Sequence, residues 1–322
     1  MTLIEKIPLQ GIDLSDDTFS VNFMPDLERL RSSIEEVGLI QPALLRKRQG
    51  KHQIVCGFRR IAVLREKGSP AVEGSMVEED DEFRLFCLSL HDNLTTRGLN
   101  AVEKAIALDK LIHRFRIDRS AVITKFLPLF SLETNEKILD TFLSLARMED
   151  EVKAYVLREE VSRSNIRKLA ALSVENRITT LSLMSQLKLG ENSLREILTL
   201  LDEISQRNRC TTQKIVGDSQ VQAILAQEEL TPSQKTERVK RLLSGLRYPR
   251  MRLLEERFEK GRKALNLPPG VVVQHPPFFE GKGLKVEIQF KTIEQYQALL
   301  SALAALPERV EFEELVKNVD KH

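Results

Sequence analysis

Across residues 100–206 apolar side chains recur at helical spacing almost without a break. Interruptions fall near 117–119, 128–131, 147–150, Ser162, Ser173 and 190–192. Helices of about 10 to 15 residues joined by short turns are the expected result. A run of that kind can bury its stripes only by stacking helix on helix. It predicts a compact all-α domain, the setting in which helix-turn-helix units occur. Aromatic residues are 5% of the chain and tryptophan is absent, so aliphatic side chains must build this core. Asn100, with Glu103 three residues on, marks its start as a capping pair.

The flanking segments have a different grain. Before residue 97 strand-like and helix-like pieces alternate. Leu27, Leu30, Ile34 and Val37 share a helical stripe stopped by Gly38. Strands are expected over 42–47, 52–56 and 73–77, and helices over 58–67 and 80–90. Residues 211–246 are polar and helix-prone, with Thr231-Pro232 as a helix start, and read as a helical linker or arm. After it come a basic amphipathic helix over 251–265 and a strand over 271–273. Over 284–290 Leu284, Val286, Ile288 and Phe290 alternate with polar residues, as in a half-buried strand. Thr292 then caps a helix striped by Ile293, Tyr296, Leu299, Leu300, Leu303 and Leu306. So few elements make a thin core, and pairing with a second copy is a natural way to cover the apolar face.

The predicted class is therefore α+β multidomain. It comprises a small α/β N-terminal domain (1–96), an all-α central domain (97–210), a helical linker (211–246) and a small α/β C-terminal domain (247–322). Hydrophobic residues at 42% and charged residues at 30% exclude global disorder. No stretch approaches 18 consecutive apolar residues, so no membrane span is expected. Residues 1–10 carry no signal-peptide pattern. Cys56, Cys87 and Cys210 have neither metal-ligand nor disulfide-framework spacing, which fits a reducing, cytoplasmic setting. The five histidines share no metal-like spacing.

Chemistry concentrates in three stretches. Ile54-Val-Cys-Gly-Phe-Arg-Arg60 reads as strand, glycine turn and helix, with two arginines in the first helical turn. Free backbone N–H groups and the helix dipole favour an anion there. Two arginines at that end are unfavourable unless an anion compensates, which suggests a phosphate cradle. A solvated, salt-bridged helix start accounts for the same residues equally well. Gly38-Leu-Ile-Gln-Pro42 is a tight helix-to-strand turn, and taken alone it is an ordinary connection. His91-Asp-Asn-Leu94 offers oxygen ligands for a hard cation, or simply caps a helix.

In order and spacing these stretches resemble the ParB family of chromosome and plasmid partition proteins. The matching residues are Gly38 to Pro42, Gly57 with Arg59 and Arg60, Asn93-Leu94, and Leu99-Asn100 with Glu103. Arg147-Met-Glu-Asp-Glu-Val152 and 280–290 continue the resemblance, which is weakest between about 205 and 245. It implies a ParB/sulfiredoxin-like N-terminal domain, a helix-turn-helix central domain and a C-terminal dimerisation domain. It further implies a homodimer that binds double-stranded DNA at a specific site and uses CTP and Mg²⁺ to close into a clamp. A ParA-type ATPase partner and a nucleoid-associated location follow from the same resemblance. The nucleotide contacts it implies are Gly38, Gln41, Pro42, Gly57, Phe58, Arg59, Arg60 and Asn93, with Asp92 and Asn93 at the metal. The chain also departs from the family. Phe58 stands where the family has a hydrolysis-linked glutamate, so at most weak CTPase activity is expected. Ala62 replaces an arginine, Asp92 a glutamate, and Thr95-Thr96 a Gln-Arg pair, with Arg97 one position late. The N-terminal basic segment by which many members engage the ATPase is not visible in residues 1–10.

By the resemblance, the helix-turn-helix spans about 120–145. Thr134, Asn135 and Lys137 are then candidates for base edges, while Glu133, Glu136 and Asp140 repel phosphates. Arg163, Asn165, Arg167 and Lys168, on a helix started by Ser162, make a better phosphate surface. Between 235 and 263 eleven basic residues face four acidic ones, a local excess of seven in a chain of net charge +2. Such an excess suits sequence-independent DNA binding, with Arg250, Arg252, Lys260, Lys263 and the later Lys282 as candidate contacts; a solubilising helix face is the plainer alternative. Two further readings remain: a ParB-related transcriptional regulator without nucleotide switching, and a phosphotransferase-like or nuclease-like enzyme on the same N-terminal fold.

Overall fold

A computed structural model describes residues 4–276, 279 and 283–320, without the side chains of 318–320. The chain divides into two compact units, 1–182 and 183–322.

The first unit opens with a five-stranded mixed sheet in the order β1-β5-β3-β4-β2. Its strands are β1 (Ile4–Pro8), β2 (Ile12–Asp13), β3 (Ala43–Arg48), β4 (Lys51–Cys56) and β5 (Ala71–Met76). β1 and β2 are not separately legible in the sequence: both are short and lie at the two edges. β3 and β4 form a hairpin closed by Gln49 and Gly50, both at positive φ (49° and 79°). Two such residues make the turn whose twist matches the strands, and glycine enters that region freely. Ile7, Ala43, Leu45, Ile54 and Val72 of the sheet and Ile61 of α2 (Phe58–Glu66) share one core, and α1 (Glu28–Val37) precedes β3. Gly38, at φ 79°, stops α1 as its pattern predicts.

Asp81 caps α3 by accepting from the Phe83 and Arg84 N–H groups. This helix (Glu82–Thr96) outruns its predicted end, so His91 to Leu94 lie within its last turns. Asn100 and Glu103 form the expected capping box at α4 (Ala101–Asp109), which a π-turn extends to Arg114. The first helix of the predicted helix-turn-helix is a composite: α5 (Arg119–Ala121), a π-turn over Val122–Phe126, and α6 (Leu127–Leu129). The second is α7 (Glu136–Ala146), with Asn135 as its cap. Then follow α8 (Asp150–Arg158), α9 (Arg163–Ala171), capped by Ser162, and α10 (Val174–Met184). α3 joins the sheet to these helices. Phe86 stacks on Phe115 at 4.6 Å between ring centroids, and Phe83 packs against Phe126 at 6.2 Å.

In the second unit α11 (Glu191–Asn208), α12 (Thr212–Val216), α13 (Ser219–Leu225) and α14 (Pro232–Arg247) share one core. It includes Ile197, Leu201, Ile215, Val221, Val239 and Leu243. The stretch 211–246, expected as a helical linker or arm, is helical and packs into this core: Val239 and Leu243, four residues apart, put an apolar stripe on a helix that otherwise looks polar. The remainder comprises α15 (Pro249–Ala264), the antiparallel pair β6 (Val271–Gln274) and β7 (Lys285–Ile288), α16 (Ile293–Ala304) and α17 (Val310–Asp320). Phe258, Leu265, Val273, Phe279, Leu306 and Leu315 make its small core. No helix among the described residues is long and apolar enough to cross a membrane.

Candidate functional site

The three stretches singled out in the sequence meet at one side chain. β4 ends at Cys56, Gly57 turns the chain at φ 95°, ψ 21°, and α2 begins at Phe58. The first N–H groups of α2 have no carbonyl four residues back to bond. Arg60, in this first turn, donates from one amino group to the backbone oxygens of Gln41 (2.7 Å) and Pro42 (3.0 Å). Its other amino group lies 3.5 Å from Asp92 on α3. The 38–42 turn, the Gly57 turn and the carboxylate of α3 thus surround one guanidinium, beside a helix N-terminus where backbone dipoles favour an anion.

Arg59 is spent differently. It donates through Nε to Asn22 Oδ1 (2.8 Å) and through an amino group to Glu103 Oε1 (2.7 Å). Burial first, and the neighbouring Arg97 guanidinium second, hold its pKa below the usual arginine value. Phe58, half-buried, packs against the sheet core, and its side chain brings no donor or carboxylate to the site; its backbone N–H at the helix start is the polar group it offers there. Cys56 is buried, and desolvation together with Asp92 pushes its thiol pKa up to about 12, which excludes a reactive thiolate.

Asp92 and Asn93 are not equally placed for a metal. Asp92 offers a half-buried carboxylate beside Arg60. Asn93 donates from Nδ2 to the Ser89 carbonyl (2.8 Å), and its Oδ1 accepts from Arg97 Nε (2.9 Å). Mg²⁺ is commonly held by one or two carboxylates plus substrate phosphates. Asp92 fits that role. Asn93 would first have to give up Arg97. Among the described residues no three His, Cys, Asp or Glu side chains gather as a metal cluster. Thr95 and Thr96 turn their hydroxyls back onto the His91 and Asp92 carbonyls (2.9 and 2.7 Å). Arg97 does reach the site, through Asn93, Asn22 and Glu103. Sequence reasoning missed Asn22, which sits in a loop without any pattern, and read Glu103 as a helix start and a family match but not as the partner of two arginines.

The candidate DNA contacts scatter. Thr134, Asn135 and Lys137 are exposed at the start of α7, but Asn135 Oδ1 is taken by the Lys137 N–H (2.8 Å) as a cap. Arg119 neutralises Glu136 and Asp140, bonding Asp140 at 2.6 Å, so the repulsion expected from these acids is lessened. Arg163 pairs with Glu133 at 3.2 Å. Asn165 is fully buried and cannot touch DNA; with Ile166 and Leu169 it lies on the inward stripe of α9. Arg167 is exposed and Lys168 half-buried. In the basic stretch Arg252 pairs with Glu256 (2.7 Å), Arg262 with Glu259 (2.8 Å), Lys240 with Glu196 (2.9 Å) and Arg247 with Glu203 (2.8 Å). Acids from α11 thus temper the local excess. Arg250, Lys260 and Lys263 remain exposed. Lys282 lies outside the described residues.

Comparison with known proteins gives a match of residues 3–94 to the ParB N-terminal domain. A nucleoid occlusion protein of Halalkalibacterium halodurans is 27% identical over 149 residues, 45% of this chain and 49% of that protein. One of Bacillus thuringiensis is 24% identical over 219 residues, 66% of this chain and 72% of that protein. This chain thus spans about half the length of the first relative. The C-terminally truncated chromosome-partitioning protein ParB of Caulobacter crescentus, complexed with CTP-gamma-S, aligns with a TM-score of 0.27 and 23% identity. That alignment covers 56% of this chain and 97% of that one.

Gly57→Ala tests the geometry around Arg60. The left-handed backbone costs an L-residue about 1–2 kcal/mol, and a methyl would stand 3.1 Å from Arg60 Nε and 3.2 Å from Ala43 Cβ. A loss of stability of about that size is expected in chemical denaturation; an unchanged midpoint would contradict the turn described.

Proposed function

A divergent member of the ParB family, this chain is, we propose, a DNA-binding partition-type protein whose first unit binds CTP with Mg²⁺ and which works as a homodimer. The observation that carries the nucleotide reading is the convergence on Arg60. One cation is flanked by the 38–42 turn, the free N–H groups opening α2 and the Asp92 carboxylate. A triphosphate finds donors there, and its Mg²⁺ a carboxylate. The choice of cytidine follows from the family resemblance. Gly38, Gln41, Pro42, Gly57, Arg59, Arg60 and Asp92 form the pocket in this reading. Phe58 brings no carboxylate, so hydrolysis is weak or absent.

DNA is divided between two surfaces. The start of α7, with Thr134 and Lys137, and the exposed Arg163 and Arg167 of α9 face base edges and the nearby backbone. Arg250, Lys260 and Lys263 add phosphate contacts whose strength falls with salt. The dimer forms through the C-terminal segment. There Val272, Val286, Phe290, Ile293, Tyr296 and Leu300 are 37% to 71% exposed on a single chain, an apolar face that a second copy would cover. Assembly on the nucleoid and motion by a ParA-type ATPase belong to the same reading. A regulator that has lost nucleotide switching is the second reading. It is favoured by one observation: Asn93 Oδ1 is already bonded to Arg97.

Calorimetric titration of the full chain with CTP, ATP and GTP, with and without Mg²⁺, separates the two. Mg²⁺-dependent heat with CTP alone, lost in Arg60→Ala, is expected; no heat at millimolar CTP, or equal binding of ATP, refutes the nucleotide reading. The dimer is tested by sedimentation of the full chain at micromolar concentration. The wild type should sediment as a dimer and the Phe290→Glu, Ile293→Glu double variant as a monomer. A monomeric wild type would refute it.

A further inference from the structure

The pocket holds a contact that no nucleotide role accounts for. Glu103 belongs to α4, at the start of the central helices, and its side chain is 1% exposed. A carboxylate so dry is costly unless its charge is met. Here it is met twice: Oε1 accepts from Arg59 and Oε2 from Arg97, each at 2.7 Å. The Asn100 N–H adds a third donor at 3.2 Å. Asn22 Oδ1 closes the ring, accepting from Arg59 Nε at 2.8 Å and Arg97 at 3.2 Å. Two guanidiniums therefore share one carboxylate and one carboxamide. The ring carries one uncompensated positive charge, and its arginines, 22% and 23% exposed, still reach solvent.

We propose that Glu103 is an internal stand-in for phosphate: in the nucleotide-free chain it occupies Arg59 and Arg97, and the phosphate groups of the nucleotide must take them from it. This rests on the nucleotide reading of the same pocket. The two arginines of the Gly57 turn then have separate parts. Arg60 is fixed in the pocket by Gln41, Pro42 and Asp92, whereas Arg59, one residue earlier in the same helical turn, is turned inward onto Glu103. A polyphosphate beside the α2 N-terminus brings several negative charges to a pair of cations that hold one. Its oxygens are acceptors of the kind guanidinium groups prefer. Arg97 becomes an added phosphate contact, one residue later than the arginine of the family pattern and made available by the backbone turn at the end of α3, where it is the cap residue. When it leaves Asn93 Oδ1 for phosphate, that oxygen is freed, and Asn93 together with Asp92 would then be available to hold Mg²⁺. The carboxylate sets a threshold that a ligand must exceed, so it lowers affinity for any phosphate-bearing ligand.

The variants Glu103→Gln and Arg97→Gln separate this from a structural role. Gln at 103 keeps one oxygen, which can serve the Asn100 N–H and Arg97, so the cap survives; the negative charge goes and the acceptor for Arg59 is replaced by an NH2 donor. Full-length wild type and both variants are titrated with Mg-CTP and, separately, with inorganic triphosphate. Glu103→Gln should bind both probes about tenfold tighter and Arg97→Gln about tenfold weaker, a change of about 1.4 kcal/mol each way. Two losses of similar size, or a Glu103→Gln that binds no tighter than wild type, would overturn the proposal. If Glu103→Gln does not fold, Glu103→Asp takes its place: it keeps the charge but shortens the reach, and tighter binding than wild type is again required. Wild-type binding without the gain sinks this proposal alone. If neither wild type nor variants bind either probe, the nucleotide reading falls as well.

Discussion

The first unit is organised around one buried negative charge. Glu103 has two guanidiniums and a backbone N–H as partners and almost no water. Removing one partner of such a group commonly costs several kcal/mol, because a dry charge is left unmet. Its partners come from four places: Asn100 beside it, Arg97 at the end of α3, Arg59 at the start of α2 and, through both arginines, Asn22 in the loop before α1. The α/β sheet and the central helices are therefore fastened at the point where the candidate pocket lies. Any ligand that draws on Arg59 also acts on the first turn of α4.

α3 gives this fastening a second consequence. Its last turns carry Asp92 and Asn93, while Phe83 and Phe86 at its other end pack on Phe115 and Phe126. One helix of 15 residues thus touches the pocket and the composite helix that precedes α7. The two π-turns nearby, Lys110–Arg114 and Val122–Phe126, interrupt regular helical hydrogen bonding next to the aromatic contact, a local irregularity often found near functional sites.

What was legible in the sequence was local. The Gly38 stop, the hairpin strands, the Gly57 turn and the Asn100–Glu103 cap depend on residues a few positions apart, and the order of the three motifs placed them in one family. What was not legible depends on distance. Nothing near Asn22 marks it as the acceptor for two arginines. The packing of 211–246 hides behind a polar composition, because its few apolar residues, among them Ile215, Val221, Val239 and Leu243, all fall on the inward face. The basic excess of 235–263 was real in the sequence, and two of the acids that temper it, Glu196 and Glu203, come from α11, 40 residues or more away, beside the local Glu256 and Glu259. Asn165 is a different case: its spacing from Ile166 and Leu169 put it on the buried stripe from the outset, and only its polarity suggested otherwise.

The central claim is that phosphate binding at the Gly57 turn and the fastening of α4 through Glu103 are one event. Hydrogen–deuterium exchange of the full chain, with and without Mg-CTP, tests it most directly. Backbone amides of 57–60 should become slower to exchange, and in the same titration those of 97–104 should change as Arg59 and Arg97 leave Glu103. Protection confined to 57–60 with 97–104 unaltered at saturating nucleotide would contradict the account.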